Sequence, residues 1–252
     1  MHSSGRHVMN WIGNALVLTS VCALGTLPPA FAATYSEDFS SGLGHWTAGP
    51  SHLDSHVIVG GELFLDGWGH LTGTGGWGVL QFNPALGSHF TATWQARITG
   101  YKYANFTLSA EPWEFDTTLG YAKLGYLAWL DVDDVGGMPH FDLWKRTAGG
   151  VSALASEVSM AVDIPSGQTM NWRLEKNGAS IKVWIDGYLM ANVSDTTFEN
   201  ANMKLGLSFG EDSKGYFDNL TVTAVPEPEA YALLLAGLGV LGAASRRRAS
   251  KP

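Results

Sequence analysis

The chain has 252 residues, of which 45% are hydrophobic and only 15% charged, with 31 glycines and ten tryptophans. That mixture excludes a disordered chain, which needs low hydrophobicity and high charge, and leaves room for one sizeable domain or two small ones. The formal charge is −8, and Arg6, Arg246, Arg247, Arg248 and Lys251 all lie in the terminal segments. The remainder carries roughly twice as many acids as bases, with no basic stripe to neutralise phosphates, which argues against nucleic acid as a partner.

The chain opens with Arg6 and His7, then "NWIGNALVLTSVCALGTL", then "PPAFAA" at Pro28 to Ala33. A basic start, a short apolar run and small residues at the −3 and −1 positions predict a secretory signal helix over residues 1–32. Signal peptidase would cut after Ala32, with Ala30 and Ala32 as the small pair. The single cysteine, Cys22, falls inside this segment. Its removal leaves a domain without disulfides, a Cys nucleophile or a thiolate zinc site.

From residue 33 to 224 the dominant hydrophobic period is two, with turn residues every ten or so positions. "HFTATWQARI" puts Phe90, Ala92, Trp94, Ala96 and Ile98 on one face and Thr91, Thr93, Gln95 and Arg97 on the other. "MKLGLSF" alternates Met203, Leu205, Leu207 and Phe209 with small or polar residues. Half-buried strands in such number predict an all-β, antiparallel two-sheet sandwich.

Two hairpins stand out. In "TMNWRLEKNGASIKVWIDG", Asn177-Gly178 is a type I′ turn signal. Pairing Lys176 with Ala179 faces Leu174 to Ile181, Trp172 to Val183 and Met170 to Ile185; Asn171, Arg173, Glu175, Lys182 and Trp184 fall on the other side. Asp186-Gly187 offers a further tight turn into "YLMANV".

In "YAKLGYLAWLDVDDVGGMPHFDLWKRT", pairing Val132 with Pro139 sets Leu130 opposite Phe141 and Ala128 opposite Leu143 on an apolar face. The opposite face gathers Leu127, Trp129, Asp131, His140, Asp142, Trp144 and Arg146. Indole rings cover the apolar faces of sugar rings while carboxylates and Arg bind hydroxyls, so this is a candidate carbohydrate site. The same residues also suit a partly solvated outer face with tryptophans packed under loops. Trp68, His70 and Trp77, on a Gly-rich stretch, could rim the face or pack locally.

Near the end, Pro226-Glu227-Pro228 precedes an apolar helix predicted over about residues 230–244, followed by Arg246, Arg247 and Arg248. At about 1.5 Å per residue, fifteen residues reach roughly 22 Å, short of the ~30 Å hydrocarbon core. The arginines would hold their end in the cytoplasm. This order resembles a PEP-CTERM sorting signal, although Glu229 stands where such signals often carry a small hydroxyl residue. The resemblance implies an exosortase partner in the inner membrane of a Gram-negative bacterium, transient membrane residence through the helix, and delivery to the cell surface or extracellular matrix.

The segments "EDFSSGLGHWT", the Asn177-Gly178 hairpin and "YFDNLTVT" resemble the first strand, central hairpin and last strand of concanavalin A-like and laminin-G-like jelly rolls. That resemblance implies a jelly-roll domain over 33–224 and a sorting segment over 225–252. No cofactor is required, but in related jelly rolls a structural calcium ion can join first and last strands, and Glu37 or Asp38 with Asp218 matches those positions. Asp131, Asp133 and Asp134 form a rival acidic group, and plain solvated or hydrogen-bonded carboxylates are the alternative for both. Glucanases of this fold place their carboxylates in Glu-x-Asp-x-x-Glu. Here Glu114 and Asp116 begin the pattern, Leu119 stands where the second Glu should be, and Pro112 argues against a central strand. The expectation is a secreted, non-catalytic, polysaccharide-associated protein. A glycoside hydrolase or lyase, and a matrix component with no defined ligand, are the alternatives.

Overall fold

The computed structural model describes residues 33–48, 53–67, 78–99, 103–116, 122–132, 138–210, 213–224 and 236–241. The first strands are β1 (Ala33–Glu37), β2 (Trp46–Ala48), β3 (Leu53–Val59), β4 (Glu62–Gly67), β5 (Gly78–Phe82), β6 (His89–Ile98) and β7 (Tyr103–Ala110). They are followed by β8 (Gly125–Asp131), β9 (His140–Thr147), β10 (Gly150–Ser159), β11 (Thr169–Asn177) and β12 (Ser180–Ile185). The last three are β13 (Tyr188–Ser194), β14 (Met203–Phe209) and β15 (Lys214–Ala224).

One sheet runs β13-β12-β11-β6-β15-β4-β3, with β1 also on β15; the other runs β10-β9-β8-β7-β14-β5-β2. We call them the first and second sheets. The long β15 pairs β4 over Lys214 to Phe217 and β1 over Leu220 to Ala224, so the first and last strands meet in one sheet.

The period-two reading explains the core. β6 alternates without interruption, burying Phe90, Ala92, Trp94, Ala96 and Ile98. Trp94 and Trp172 are cross-strand partners and stack at 5.5 Å. Phe106 of the second sheet meets both edge-on, and Phe141 packs on Trp172, so aromatic edges join the two layers. Aromatic pairs in such geometry add about 0.5–1.5 kcal/mol each beyond burial.

The hairpin registers divide. β8 and β9 pair as the sequence predicts, with Leu130 opposite Phe141 and Ala128 opposite Leu143. β11 and β12 do not: Asn177 faces Ser180, Leu174 faces Val183 and Trp172 faces Ile185. The turn residues are Gly178 and Ala179, and only Gly178 has a positive φ, of 58°. The Asn177-Gly178 type I′ turn is therefore replaced by one with a single left-handed position. The partners slip by two residues, which preserves every face, so the same six apolar side chains remain buried. Asp186 and Gly187, at φ of 47° and 84°, form the two-residue turn with both centres left-handed.

The expected signal helix over 1–32 lies outside the described residues. Of the expected apolar helix over about 230–244, residues 236–241 are described, and they are helical and exposed. Among the described residues no helix is long and apolar enough to cross a membrane.

Candidate functional site

The outward face of the second sheet carries the residues that the sequence brings forward. Because β8 and β9 keep the predicted register, Trp129 lies across from Asp142, Asp131 from His140 and Leu127 from Trp144. The diagonal pair Trp129 and Trp144 stack at 5.5 Å with 22° between their rings. His140 Nε2 stands 3.7 Å from Asp142 Oδ2, an ion-pair distance too long for a hydrogen bond. Asp142 Oδ1 accepts the backbone N–H of Glu157 at 2.9 Å. Glu157 has a φ of 52° and lies within the second register shift of edge strand β10, between Ala155 and Val158, so Asp142 pins the bulged edge.

Arg146 leaves this group. Its Nη2 donates to Asp116 Oδ2 at 2.6 Å, at the far end of β9 from His140. Together with Pro112, Glu114 and Lys123, Arg146 and Asp116 line a separate cavity of about 360 Å³. Glu114 is paired with Lys123 at 3.0 Å. Glu111 and Pro112 form a turn after β7, so the fragment of the glucanase pattern is not on a strand and its two carboxylates are held in ion pairs.

The centre of the second sheet's outer face is closed. Gln81, Asn105, Thr107, Ser109 and Ser208 are all at most 7% exposed. Gly206 is needed there, since a Cβ would stand 2.5 Å from Val79 Cγ1 and 2.6 Å from Thr107 Cγ2. The hydroxyls of Ser109 and Ser208 and the indole N–H of Trp144 are buried with no hydrogen-bond partner among the described residues. Trp68, His70 and Trp77, and with them Asp133 and Asp134, lie outside the described residues.

Glu37 and Asp218, two of the expected calcium ligands, are not brought together. Glu37 is aligned with Leu220, a core residue, and its carboxylate is taken by His45 Nδ1. Asp38 accepts the N–H and Oγ–H of Ser40, which hold its carboxyl below the usual range. Asp218 is aligned with outward-facing Gln95 and bonded to Asn219. The bulge at Asn219 is the reason: an extra residue puts Asp218 and Leu220 on opposite faces, so Glu37 and Asp218 are separated by the sheet. Among the described residues no three His, Cys, Asp or Glu gather.

Sequence reasoning missed a charged anchor at one end of the sandwich. Asp195, just after β13, accepts Tyr126 Oη–H at 3.1 Å, Lys145 Nζ–H at 2.5 Å and the N–H of Thr197 at 2.9 Å. Burial pushes the Asp195 carboxyl up, but the hydrogen bonds from Lys145, Thr197 and Tyr126 outweigh it and leave the carboxyl below its usual range. Burial, then the Asp195 charge, raises the Tyr126 phenol. Buried Lys176 is a second surprise, donating to the carbonyls of Gly178 at 2.7 Å and Glu199 at 3.3 Å.

Residues 224–248 match the PEP-CTERM protein-sorting motif. The chain is thus marked for exosortase processing and secretion to the cell surface of a Gram-negative bacterium. The motif's Pro226, Glu227, Pro228 and its arginines lie outside the described residues. No curated protein matches the chain in sequence.

Among solved structures, the chain is similar to the carbohydrate recognition domain of Emp47p, with 13% identity, 75% of this chain and 93% of that chain covered, and a TM-score of 0.56. A Bacillus subtilis protein with a galectin-like fold matches at 13% identity, 75% and 94% coverage, and a TM-score of 0.55. The potassium-bound Emp46p carbohydrate recognition domain matches at 17% identity, 73% and 90% coverage, and a TM-score of 0.52. The domain is a jelly roll of the galectin-like kind. At these identities the likeness speaks for fold.

Proposed function

We propose that this sorted surface protein is a non-catalytic glycan-associated jelly roll, holding extracellular polysaccharide on the outward face of its second sheet. The observation that carries this reading is the stacked Trp129–Trp144 pair beside Asp131, His140 and Asp142. A parallel indole pair offers an extended apolar edge, and the half-buried His140 imidazole beside it can bind hydroxyls, while buried Asp142 holds the bulged edge of β10 in place through the Glu157 N–H. The sorting motif supports the reading, because its bearer is delivered to the compartment where such polysaccharide lies.

The absence of catalysis is part of the proposal. Glu114 and Asp116, the carboxylates nearest to a glucanase pattern, are committed to Lys123 and Arg146. A retaining pair must instead flank a bond with both carboxyls about 5 Å apart and available. A structural cation, where one is bound, must use ligands other than the Glu37–Asp218 pair.

A glycan array with the full-length protein tests this reading. The expected result is binding to at least one extracellular polysaccharide class, weakened about tenfold or more in Trp129→Ala and Trp144→Ala. Reducing-sugar release should stay at the blank level for every glycan bound. Unchanged binding in both variants would remove the site assignment, and sustained release abolished by Glu114→Gln would make the protein an enzyme.

A further inference from the structure

The outward face of the first sheet carries a feature that neither the sorting motif nor the tryptophan pair uses. Five side-chain amides and carboxylates form a hydrogen-bonded ladder across β15, β6, β11 and the β12–β13 turn. Asn219 Nδ2 donates to Gln95 Oε1 at 2.9 Å, Gln95 Nε2 to Asn171 Oδ1 at 3.1 Å, and Asn171 Nδ2 to Asp186 Oδ1 at 3.0 Å. The other N–H of Asn219 Nδ2 goes to Asp218 Oδ2 at 3.0 Å. Both ends of the ladder are therefore carboxylates, and every amide has a fixed orientation.

Two non-glycine residues in the left-handed region build it. Asn219, at φ 51°, is the bulge residue of β15, and Asp186, at φ 47°, opens the β12–β13 turn. Asn and Asp are the side chains that tolerate this conformation best.

Arginine–aromatic stacks flank the ladder one residue pair away on each side. On one side the Arg173 guanidinium lies 5.0 Å from the Trp184 ring centre and is paired with Glu175. On the other the Arg97 guanidinium lies 4.1 Å from the Tyr216 ring centre and is paired with Glu62. The two levels stand about 13 Å apart at ~3.3 Å per residue along the strands. Gln95, Asn171, Asn219, Arg173 and Trp184 line an open cavity of about 500 Å³, a volume within the usual range for small-ligand sites.

We propose that this groove is a second glycan site, for a neutral oligosaccharide. Three properties fix the ligand class. After the ladder bonds are counted, Gln95 and Asn171 each retain one N–H, while Gln95, Asn171 and Asn219 retain carbonyl lone pairs. Such alternating donors and acceptors match hydroxyl groups, which do both. Each arginine is balanced by its own glutamate, so Asp186 and Asp218 leave the groove negative, which disfavours uronic or sulfated sugars. The aromatic edges at Trp184 and Tyr216 border a polar floor about the width of a sugar chain, where C–H faces can rest on rings and hydroxyls on amides. The groove uses none of the residues of the Trp129–Trp144 face.

The test is a tryptophan-fluorescence titration of the full-length protein with neutral gluco-, xylo-, manno- and galacto-oligosaccharides, and with oligogalacturonate as the anionic probe. Wild type should bind at least one neutral probe and bind oligogalacturonate more weakly. Asn171→Ala and Gln95→Ala should each weaken that binding about tenfold while melting at the wild-type temperature, and Trp129→Ala should leave it intact. Binding lost in Trp129→Ala but kept in Asn171→Ala would overturn the groove and leave the proposed function standing. Binding kept in all three variants, preference for oligogalacturonate, or no neutral probe bound would each overturn the groove as well.

Discussion

The two outward faces of this sandwich are built on opposite plans. On the second sheet the central positions are small and polar, namely Asn105, Thr107, Ser109, Gly206 and Ser208, and they are buried. On the first sheet the corresponding positions are Thr93, Gln95, Arg97, Arg173 and Glu175, and none is buried. A small residue on a β surface is informative about what lies over it: close approach needs the missing side chain. Long side chains joined into ladders and stacks instead keep a face flat, wet and ordered. Aromatic content alone does not distinguish the two, since the second sheet has its Trp129–Trp144 pair and the first its Trp184 and Tyr216.

The largest effect that this contrast predicts is at Gly125, on the closed face. It has a φ of 136°, and a Cβ would come within 1.9 Å of the carbonyl oxygen of Leu108. Gly125→Ala forces both backbone strain and a backbone clash, a loss of about 3 kcal/mol or more. Chemical denaturation should show it as a large fall in midpoint. A near-neutral result would mean that β7 and β8 part easily, and that the closed face is soft.

How far the contrast was legible in the sequence depends on how local its causes are. Alternation alone puts Leu130, Phe141, Ala128 and Leu143 of β8 and β9 on a common face and carries Trp129 and Trp144 to the other, and the observed register sets Leu130 opposite Phe141, as pairing Val132 with Pro139 predicts. The β11–β12 register missed by two residues because the left-handed position is Gly178 alone. The amide ladder was out of reach: Gln95 meets Asn171 across 76 residues and Asn219 across 124. No period or turn signal announces which outward-facing amides become neighbours. Glu37 and Asp218 stay apart for a related reason, since one bulge residue reverses the facing of everything before it. Arg146 had the right face but a nearer carboxylate, Asp116, that no strand pattern places.

The next effect is smaller and depends on pH. Asp195 anchors β8 and β9 of the closed sheet to the loop after β13. Asp195→Asn keeps an acceptor for Tyr126 but leaves the Lys145 ammonium without its counter-charge, at a cost of about 1–3 kcal/mol near neutrality. The folded-state carboxyl titrates below its usual value, so its contribution is full above about pH 4 and is lost as pH falls through the lowered value. Wild type and variant should therefore converge in acid. Tyr126 acts in the opposite direction: its raised value means a contribution present below about pH 10 and lost as pH rises further. A difference between wild type and Asp195→Asn that persisted unchanged below pH 3 would assign the loss to packing rather than charge.

The smallest effects decide most about the two faces, because they separate burial from binding. Ser208 has a buried hydroxyl without a partner among the described residues, so Ser208→Ala removes a desolvated polar atom and little else. Stability should rise by up to about 1 kcal/mol. Gln95→Ala cuts two bonds of the ladder, yet the face is open and water replaces the lost partners, so stability should change by less than about 0.5 kcal/mol. Paired melts of the two variants provide the measurement. If Ser208→Ala destabilises, its hydroxyl is serving a ligand or an ordered water, and the closed face is a binding face at its centre. If Gln95→Ala destabilises by more than about 1 kcal/mol, the ladder is a structural brace for the first sheet. Loss of glycan binding in that variant would then report a distorted face, and Asn171→Ala alone would carry the test of the groove.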